Sequence, residues 1–342
     1  MLVVDRPEGA LEALEDYLGD FWGRDGVMAE LYLGYGLSAS LRRTAAPAPP
    51  EPCPLPLLAC RVRPSTRTDL VPDWDLEIGE WERTSSPEDY AAAVVSVRAA
   101  IERGDVYQAN LVQHLSAPFT GEPTALAGRL RPLRPLHPSP FAGDGWAVVS
   151  ASPELFLSRR GRSVRTKPIK GTRPAGERIE SPKDTAEHVM IVDLERNDLS
   201  RVCEHGSIRW PELMVERELA GVTHLVSTVE GTLREGVGLA ELLAATFPGG
   251  SVTGAPKIAA IDLIAALEPV GRGASMGALG TVRPNGDLDL ALTIRTFAVA
   301  EERIHLWVGG GIVWDSDPAE EIEESWVKAR PLLAAIGSPV HA

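Results

Sequence analysis

The sequence predicts an α+β fold built on antiparallel sheets. Strand-like and helix-like segments are mixed along the chain, whereas a doubly wound parallel sheet requires them to alternate regularly. The pair Asn285-Gly286 lies between two strand-like runs, which indicates a β-hairpin and therefore antiparallel pairing. With 342 residues, of which 44% are apolar and 24% charged, the chain can bury a sizeable core.

Charge and hydropathy exclude several classes of partner. The chain has 34 Lys and Arg against 48 Asp and Glu, a net charge of −14, and no basic stripe. We therefore expect no nucleic-acid binding and no binding to an anionic membrane surface. No window approaches a run of about 18 apolar residues, the length of a membrane-spanning helix. Three widely spaced cysteines and an acidic start without the features of a signal peptide predict a cytoplasmic protein.

The N-terminal quarter has weaker signals than the rest of the chain. We expect residues 1–83 to form a short N-terminal segment that contributes to the same fold as a main domain over residues 84–337. Residues 11–21 are compatible with a short helix. Residues 45–58 are dense in proline, which breaks helices and removes backbone donors, so they predict a linker or an exposed loop.

The first elements of the main domain have clear boundaries. Ser86 is a helix-capping residue, Pro87 suits the first helical position, and two acidic residues follow, so we expect a helix that ends at about Arg103. Alternating apolar residues predict a strand over residues 106–115. Three further strands are expected between residues 146 and 169.

The second half of the chain predicts more helices and a final hairpin. Helical periodicity is found over residues 181–202, 239–247 and 257–267. The runs MGALGTV and LDLALTIRTF predict the two hairpin strands, and residues 304–313 another strand. A last helix begins near Pro318 and should end or kink at about Arg330, because Pro331 has no backbone N–H.

Two pairs of carboxylates have helical spacing. Asp184 and Glu187 are three residues apart on one predicted helix, and Glu321 and Glu324 are three apart on the last. Residues at this spacing share a helix face, and oxygen ligands from two such faces can hold a hard divalent cation. The spacing alone also fits solvated acidic faces.

The segment PGGSVTGAPK has the Gly249–Gly254 gap of a P-loop but lacks the Lys-Ser/Thr that follows it in nucleotide-binding proteins. A Gly/Ser/Thr loop that leads into a helix leaves free N–H groups at the positive end of the helix dipole. The segment therefore predicts an anion site for a carboxylate or a phosphate, with a plain helix cap as the alternative.

Cations are crowded in TKPIKGTRP, which contains Lys167, Lys170 and Arg173. A lysine among other cations, when partly desolvated, has a lowered pKa and can act as a nucleophile. The alternative is a basic surface turn.

Three single residues stand out in apolar surroundings. Glu154 could be a buried general acid with a raised pKa or a charge at a strand edge. His224 fits a core histidine or a catalytic one. Arg295, in an otherwise apolar strand, needs an anionic partner, which is a substrate carboxylate or an internal salt bridge. Together with the metal and anion sites, these residues suggest a small polyanionic substrate.

Eight motifs occur in the order seen in the chorismate-utilising enzymes, the family of anthranilate synthase component I, aminodeoxychorismate synthase component I, isochorismate synthase and salicylate synthase. The motifs are SPELFL, TKPIKGTRP, EHVMIVDLERNDLSRV, VTHLVSTVEG, FPGGSVTGAPK, LTIRTF, GGGIVWDSDP and EEIEESWVKAR. The resemblance covers residues 84–336. It implies two packed, mainly antiparallel β-sheets flanked by helices, an active site in the cleft between them, Mg²⁺ as cofactor and chorismate as substrate.

The resemblance also implies roles for single residues. Glu187 and Glu324 resemble the two Mg²⁺ ligands, with Asp184 and Glu321 beside them. Glu154 matches the carboxyl that assists loss of the C4 hydroxyl, and His224 the histidine near the reacting edge of the ring. The implied substrate-binding set is Gln108, Ser251, Thr253, Gly254, Arg295, Gly310, Gly311 and Lys328.

Two positions distinguish members of the family. Members that add water to chorismate have a lysine base where this chain has Gln108, and an amide has no basic form. PIKGT, with Lys170, resembles the aminodeoxychorismate synthases, whereas anthranilate synthases have PIAGT. The resemblance thus implies a covalent lysine intermediate and ammonia from a separate glutamine amidotransferase subunit. Its product would feed p-aminobenzoate and folate; the alternative is anthranilate synthase component I.

Overall fold

The computed structural model describes residues 1–65, 75–174, 176, 178, 182–219 and 222–338, without the side chains of residues 172–174, 182–184, 219 and 222. In these residues the chain forms helices α1 Ala10–Tyr17, α2 Pro87–Glu102, α3 Pro123–Leu130, α4 Pro182–Ser200, α5 Leu239–Thr246, α6 Lys257–Leu267 and α7 Pro318–Ala335. Short 3-10 helices cover Gly19–Phe21, Tyr35–Leu41, Arg131–Leu133 and Gly250–Val252. No described helix is both long enough and apolar enough to cross a membrane.

The strands form two large sheets. They are β1 Leu2–Val4, β2 Val27–Leu33, β3 Leu58–Pro64, β4 Glu77–Ile78, β5 Glu82–Arg83, β6 Gln108–Thr120, β7 Phe141–Gly143, β8 Trp146–Ser150, β9 Leu155–Arg160, β10 Ser163–Lys167, β11 Ile169–Pro174, β12 Arg209–Leu219, β13 Val222–Thr232, β14 Gly254–Ala255, β15 Ala278–Val282, β16 Leu288–Leu292, β17 Thr296–Ala300 and β18 Arg303–Ile312. Every pairing between the named strands is antiparallel. The predicted α+β fold of mainly antiparallel sheets is confirmed.

The first sheet has the strand order β1-β3-β2-β15-β16-β9-β10-β13-β11, with β12 also paired to β13. The second has the order β14-β6-β18-β17-β8-β7, with β4 and β5 paired to β6. Apolar side chains from both sheets pack into one core, for example Leu31 and Leu290 from the first sheet and Val148 and Ala298 from the second. The two sheets therefore face each other.

Helices cover the outer side of the second sheet. Trp326 and Leu332 of α7 pack with Leu126 of α3 against β6, β17 and β18. Helices α2 and α6 form a further cluster with β6 through residues such as Val94 and Ile264. Helix α4 contacts β11 and β13 at the far end of the first sheet.

Helix α2 begins where the sequence predicts, for the predicted reason. The Ser86 hydroxyl accepts a hydrogen bond from the Asp89 N–H at 3.1 Å, and the Asp89 carboxylate accepts one from the Ser86 N–H at 3.1 Å. This reciprocal cap and Pro87 at the first position satisfy donors that the helix leaves free. The helix ends with Arg103 as its C-cap, as expected.

Most of the other predicted elements are confirmed as well. The helices expected over 181–202, 239–247 and 257–267 are α4, α5 and α6, although Ser181 lies outside the described residues. The three strands expected between residues 146 and 169 are β8, β9 and β10, and the strand over 304–313 is β18. The strand expected over 106–115 is β6, which extends five residues further along the chain, to Thr120.

The last helix does not end at about Arg330, one of the two expected outcomes, because α7 continues through Pro331 to Ala335. Pro331 has no N–H to donate to the carbonyl of Val327, but both residues are exposed, so water can satisfy that carbonyl. Beyond the proline, Leu332 and Leu333 are fully buried. Their burial outweighs the loss of about 3 kcal/mol that an interior proline causes.

The hairpin around Asn285-Gly286 is confirmed by the pairing of β15 with β16, and the Arg283 N–H donates to the Asp287 carbonyl at 2.7 Å. The prediction that LDLALTIRTF is one strand is wrong. Strand β16 ends at Leu292 in the first sheet, and β17 begins at Thr296 in the second. Arg295 therefore lies where the chain crosses between the sheets, with a left-handed φ of 50°.

The N-terminal segment adds three strands to the first sheet, since β2 pairs with both β3 and β15. The expected helix over 11–21 is found as α1 and the short 3-10 helix after it. The proline-dense stretch contacts the chain that leads into β15. The Glu51 carboxylate accepts from the Gly273 N–H at 2.9 Å, and the Pro50 carbonyl accepts from the Gly271 N–H at 2.8 Å.

Candidate active site

A cavity of about 390 Å³ opens between the two sheets, beside the point where the chain crosses from β16 to β17. Its walls come from both sheets, from α4 and α7, and from the loop before α6. Ten of the residues singled out in the sequence line it: Glu154, Lys170, Glu187, His224, Ser251, Arg295, Gly310, Gly311, Glu324 and Lys328. Residues up to 174 positions apart in sequence are thus brought into one site.

The other predicted site residues lie next to this lining. Gln108 is buried beneath Gly311, where a Cβ atom would overlap the Gln108 amide nitrogen. The Thr253 hydroxyl donates to the Gly249 carbonyl at 3.0 Å, and Gly254 pairs with β6 at a φ of 141°. Thr253 and Gly254 therefore stabilise the loop before α6, and neither lines the cavity.

Glu321 and Asp184 complete the predicted set. Glu321 is buried and accepts a hydrogen bond from the Ser316 hydroxyl at 2.6 Å. The side chain of Asp184 lies outside the described residues.

Glu154 lies just before β9, deep in the cavity. Its carboxylate accepts a hydrogen bond from the Ser251 hydroxyl at 2.7 Å. Burial raises the pKa of Glu154 to about 7, although the Ser251 hydrogen bond and the charges of Lys170 and Arg295 oppose this shift. At neutral pH a large fraction of Glu154 is therefore protonated, as a general acid requires.

The hydrogen bonds of His224 determine its tautomer. Its Nδ1 lies 2.7 Å from the Gly171 carbonyl, which can only accept, so Nδ1 carries the proton. Its Nε2 lies 3.2 Å from Nη2 of Arg295, which can only donate, so Nε2 is unprotonated. Burial lowers the pKa of His224 to about 4, and the charges of Arg295 and Lys328 add to this shift. His224 is thus neutral and holds Arg295 in place.

Arg295 presents a cation to the cavity without an ion-pair partner in the described part of the chain, where no carboxylate lies within salt-bridge distance of it. The internal salt bridge considered for this residue is therefore not observed there. Its left-handed backbone is unusual for a residue other than glycine. A half-buried guanidinium in this position is suited to a carboxylate of a bound ligand.

The three cations of TKPIKGTRP have separate environments. Lys167 forms an ion pair with Glu212 at 3.4 Å on the protein surface. Lys170 is turned into the cavity, and its Nζ would lie 3.5 Å from a Cβ atom at Gly311. The Arg173 side chain lies outside the described residues. The segment is therefore not simply a basic surface turn, because Lys170 lines the same cavity as Glu154.

Carboxylates from α7 converge over Gly310. A Cβ atom at Gly310 would lie 3.4 Å from one oxygen of Glu321 and 3.4 Å from one oxygen of Glu324. The Lys328 ammonium lies among them, paired with Glu324 at 2.7 Å and donating to the Gly309 carbonyl at 2.9 Å. Glu187 of α4 lines the same cavity.

The donor chemistry of this wall fits Mg²⁺, which prefers oxygen ligands. In the described residues no three Asp, Glu, His or Cys side chains are grouped closely enough to form a complete metal site. Mg²⁺ commonly takes one or two protein carboxylates and fills its other positions with water and substrate oxygens. The carboxylates of Glu187, Glu321 and Glu324 at the edge of a substrate-sized cavity fit an Mg²⁺ ion that also binds water and substrate oxygens.

Two buried ion pairs behind the cavity have no clear signal in the sequence. Arg272 pairs with Glu268 at 2.7 Å and donates to the carbonyls of Val252 and Asn110 at 2.8 and 2.7 Å. It thereby ties β6 to the loop before α6. The i, i+4 spacing of Glu268 and Arg272 is the one feature that could have indicated this pair, but such spacing is common on helix surfaces.

The second pair joins Lys257 of α6 to Asp198 of α4. Lys257 also donates to the carbonyls of Thr246 and Pro248, at 3.2 and 2.6 Å. Glu195, one turn before Asp198, accepts from the Gly250 N–H at 2.9 Å. These residues fix the PGGSVTGAPK loop from the side opposite the cavity, a role that only the three-dimensional structure reveals.

A family model described as "chorismate binding enzyme" matches residues 58–334. The chain is 42% identical over 272 residues to anthranilate synthase component 1 of Streptomyces coelicolor, covering 75% of this chain and 53% of that protein. It is 44% identical to the Thermus thermophilus protein of the same name, covering 73% and 57%. It is 40% identical to aminodeoxychorismate synthase component 1 of Klebsiella aerogenes, covering 75% and 60%.

The fold has a counterpart among solved structures. Anthranilate synthase component I from Streptococcus pneumoniae superposes with a TM-score of 0.81 at 28% identity, covering 93% of this chain and 84% of that one. The matches to the three sequence relatives above span between 53% and 60% of the length of those proteins.

Proposed function

The chain belongs to the chorismate-binding enzyme family, and from that premise we propose that it is an aminodeoxychorismate synthase component I. It would replace the C4 hydroxyl of chorismate by an amino group and keep the enolpyruvyl group. The observation that carries the proposal is the position of Lys170, which lines the same cavity as the buried carboxyl of Glu154.

The first step joins Lys170 to the substrate ring. The neutral amine of Lys170 attacks C2, both ring double bonds shift by one position, and the C4–O bond breaks. Glu154 gives its proton to the departing hydroxyl, which leaves as water, and the resulting carboxylate can accept the proton that the lysine nitrogen loses. The pKa of Glu154, raised to about 7 by burial, makes this proton available at neutral pH.

The second step reverses the shift. Ammonia attacks C4, the double bonds return to their original positions, and the C2–N bond breaks, which releases Lys170. The overall change is chorismate plus ammonia to aminodeoxychorismate plus water. A lysine that must leave as well as attack requires proton transfer in both directions, and Glu154 is a buried carboxyl in the same cavity.

Cationic side chains would hold the two carboxylates of chorismate. Arg295, held at Nη2 by His224, has no described carboxylate partner and can bind one of them. Lys328 of α7 lines the same cavity and donates to the Gly309 carbonyl. In a chain with a net charge of −14, such local cations offset the repulsion that a dianion would meet.

Mg²⁺ would be held by Glu187 and Glu324, with Glu321 and Asp184 beside them. When bound, it neutralises a substrate carboxylate and helps to orient it. Lys328, now paired with Glu324, would then be released towards the substrate.

We propose that the ammonia comes from a glutamine amidotransferase partner. The names of the relatives, component 1 of their synthases, support a second component. Free ammonia at high concentration should replace the partner. We also propose that the enzyme acts in the cytoplasm, which three free, buried cysteines support.

Anthranilate synthase component I is the second candidate. It is favoured by the 42% and 44% identity to two proteins of that name, against 40% for the aminodeoxychorismate synthase. Lys170 argues for the first candidate, because a covalent amine at C2 directs ammonia to C4.

Mass spectrometry of the products separates the two candidates. The purified chain is incubated with chorismate, Mg²⁺ and ammonium at alkaline pH, and then with the amidotransferase and glutamine. We expect an aminated chorismate that an aminodeoxychorismate lyase converts to p-aminobenzoate. Anthranilate with pyruvate would contradict the proposal and favour the second candidate.

A further inference from the structure

We propose that Glu195 is a positioning residue for Glu154: by holding the Gly250 N–H it sets the place of the Ser251 hydroxyl against the Glu154 carboxyl. This inference rests on the role of Glu154 in the proposed function. Glu195 does not line the cavity, and neither the sequence motifs nor the family resemblance give it a role.

A continuous set of contacts links the two carboxyls. Glu195 Oε1 accepts from the Gly250 N–H at 2.9 Å. Gly250 and Ser251 are consecutive residues of one 3-10 helix, Gly250–Val252. The Ser251 hydroxyl then donates to Glu154 at 2.7 Å. A single loop therefore has Glu195 on one side and Glu154 on the other.

The loop packs too closely on α4 to adjust freely. A Cβ atom at Gly250 would lie 2.8 Å from the Leu194 side chain and 3.0 Å from Glu195 Oε1. Before Gly250, Lys257 holds the carbonyls of Thr246 and Pro248. The Glu195 hydrogen bond fixes the next segment, where the loop turns towards the cavity.

The surroundings of Glu195 keep it in this role near neutral pH. Burial raises its pKa, and the negative charge of Asp198 and, more weakly, that of Glu154 act in the same direction, whereas Lys257 and the Gly250 N–H oppose the shift. A protonated Glu195 still has a carbonyl oxygen that accepts from Gly250. A glutamine should therefore replace it.

Loss of the Glu195 contact should raise the pKa of Glu154. The Ser251 hydrogen bond favours the ionised form of Glu154 and so lowers its pKa, together with Lys170 and Arg295, against the effect of burial. If Glu195 no longer holds Gly250, the Ser251 contact weakens and the pKa of Glu154 rises. The same rise is expected when the Ser251 hydroxyl is removed directly.

The test is an infrared titration of the Glu154 carboxyl in the free protein, with the signal assigned by its loss in Glu154→Gln. Ser251→Ala should raise the midpoint by about one pH unit, a tenfold change in proton affinity. Glu195→Ala should raise it in the same direction, and Glu195→Gln should leave it unchanged. In the double variant Glu195→Ala/Ser251→Ala, the shift should equal that of Ser251→Ala alone, because both changes act through one contact.

Two results would overturn the inference: an unchanged midpoint in Glu195→Ala, or a double variant in which the two shifts add. Asp193→Ala, at an exposed position of α4, is the matched control and should have no effect. If Glu195→Ala does not fold, Glu195→Asp is used, since its shorter side chain cannot reach Gly250. The titration needs no turnover, so a chain that fails to aminate chorismate but shows these shifts would contradict the proposed function and keep the inference.

Discussion

Nη2 of Arg295 lies 3.2 Å from Nε2 of His224, and this contact is possible because the other ring nitrogen of His224 is bound to the Gly171 carbonyl. The histidine is therefore a neutral acceptor for the guanidinium. Arg295 itself lies at the crossing between the two sheets, where no strand pairing orients its side chain. The contact thus links the first sheet, through His224 of β13, to the cation that we expect to bind substrate.

Removal of His224 should weaken substrate binding more than turnover. In His224→Ala, Arg295 loses its acceptor and samples other orientations, so we expect KM for chorismate to rise about tenfold with a smaller change in kcat. Steady-state kinetics with saturating ammonium measure both. His205→Ala, at an exposed histidine, is the control. A fall in kcat at constant KM would instead assign His224 to the chemical step.

The pH profile of kcat/KM should fall on its alkaline side because Glu154 loses its proton there. The carboxyl must be protonated to assist loss of the C4 hydroxyl, and its pKa is raised by burial to about 7. The protonated fraction therefore falls as pH rises through 7, and kcat/KM should fall with it. Glu154→Gln should lose at least about 100-fold in kcat. If the basic limb persists unchanged in a residual activity of Glu154→Gln, another group is responsible.

Loss of a carboxylate from the metal wall should weaken Mg²⁺ binding. We expect Glu187→Gln and Glu324→Gln each to raise by at least about tenfold the Mg²⁺ concentration that half-saturates activity. Glu320→Gln, an exposed neighbour on α7, should behave as the unchanged protein. Calorimetric titration of Mg²⁺ in the presence of chorismate gives the affinity without turnover. Equal affinity in all three variants would refute the assignment of these ligands.

Helix α7 should be more stable without its interior proline. Pro331→Ala restores an N–H that can donate to the Val327 carbonyl, and both positions are exposed, so no packing is lost. The gain is partly offset because alanine makes the unfolded chain more flexible. We expect the free energy of unfolding to increase by about 1–2 kcal/mol. Urea denaturation measures it, and a decrease would mean that the proline is needed for the path of the helix.

The sequence predicts the boundaries of an element correctly where those boundaries depend on residues close by in the chain. Ser86, Pro87 and Asp89 determine the start of α2, and periodicity gave α6 its bounds. The end of α7 was predicted too early, at about Arg330. The helix continues because Leu332 and Leu333 are buried, which is a tertiary effect that local propensity does not include.

In the candidate site, too, the sequence predicts the residues that lie in local motifs but not the contacts between distant parts of the chain. Lys170, Glu154 and Ser251 are found in motifs, and the structure brings them into one cavity. The strand assignment of Arg295 failed because periodicity does not reveal that the chain changes sheets. Glu195 was missed because its partner Gly250 is 55 residues away, and nothing in the sequence of α4 indicates that contact.

The central claim is that Lys170 forms a covalent bond to the substrate, and peptide mass spectrometry of the quenched protein tests it most directly. The chain is mixed with chorismate and Mg²⁺ without ammonia, quenched and digested. We expect an adduct with the mass of chorismate less one water, located on Lys170 and lost on addition of ammonium. Lys170→Ala should form no adduct and lose amination, while Lys167→Ala, its surface neighbour, should retain both. Full amination by Lys170→Ala would contradict the account.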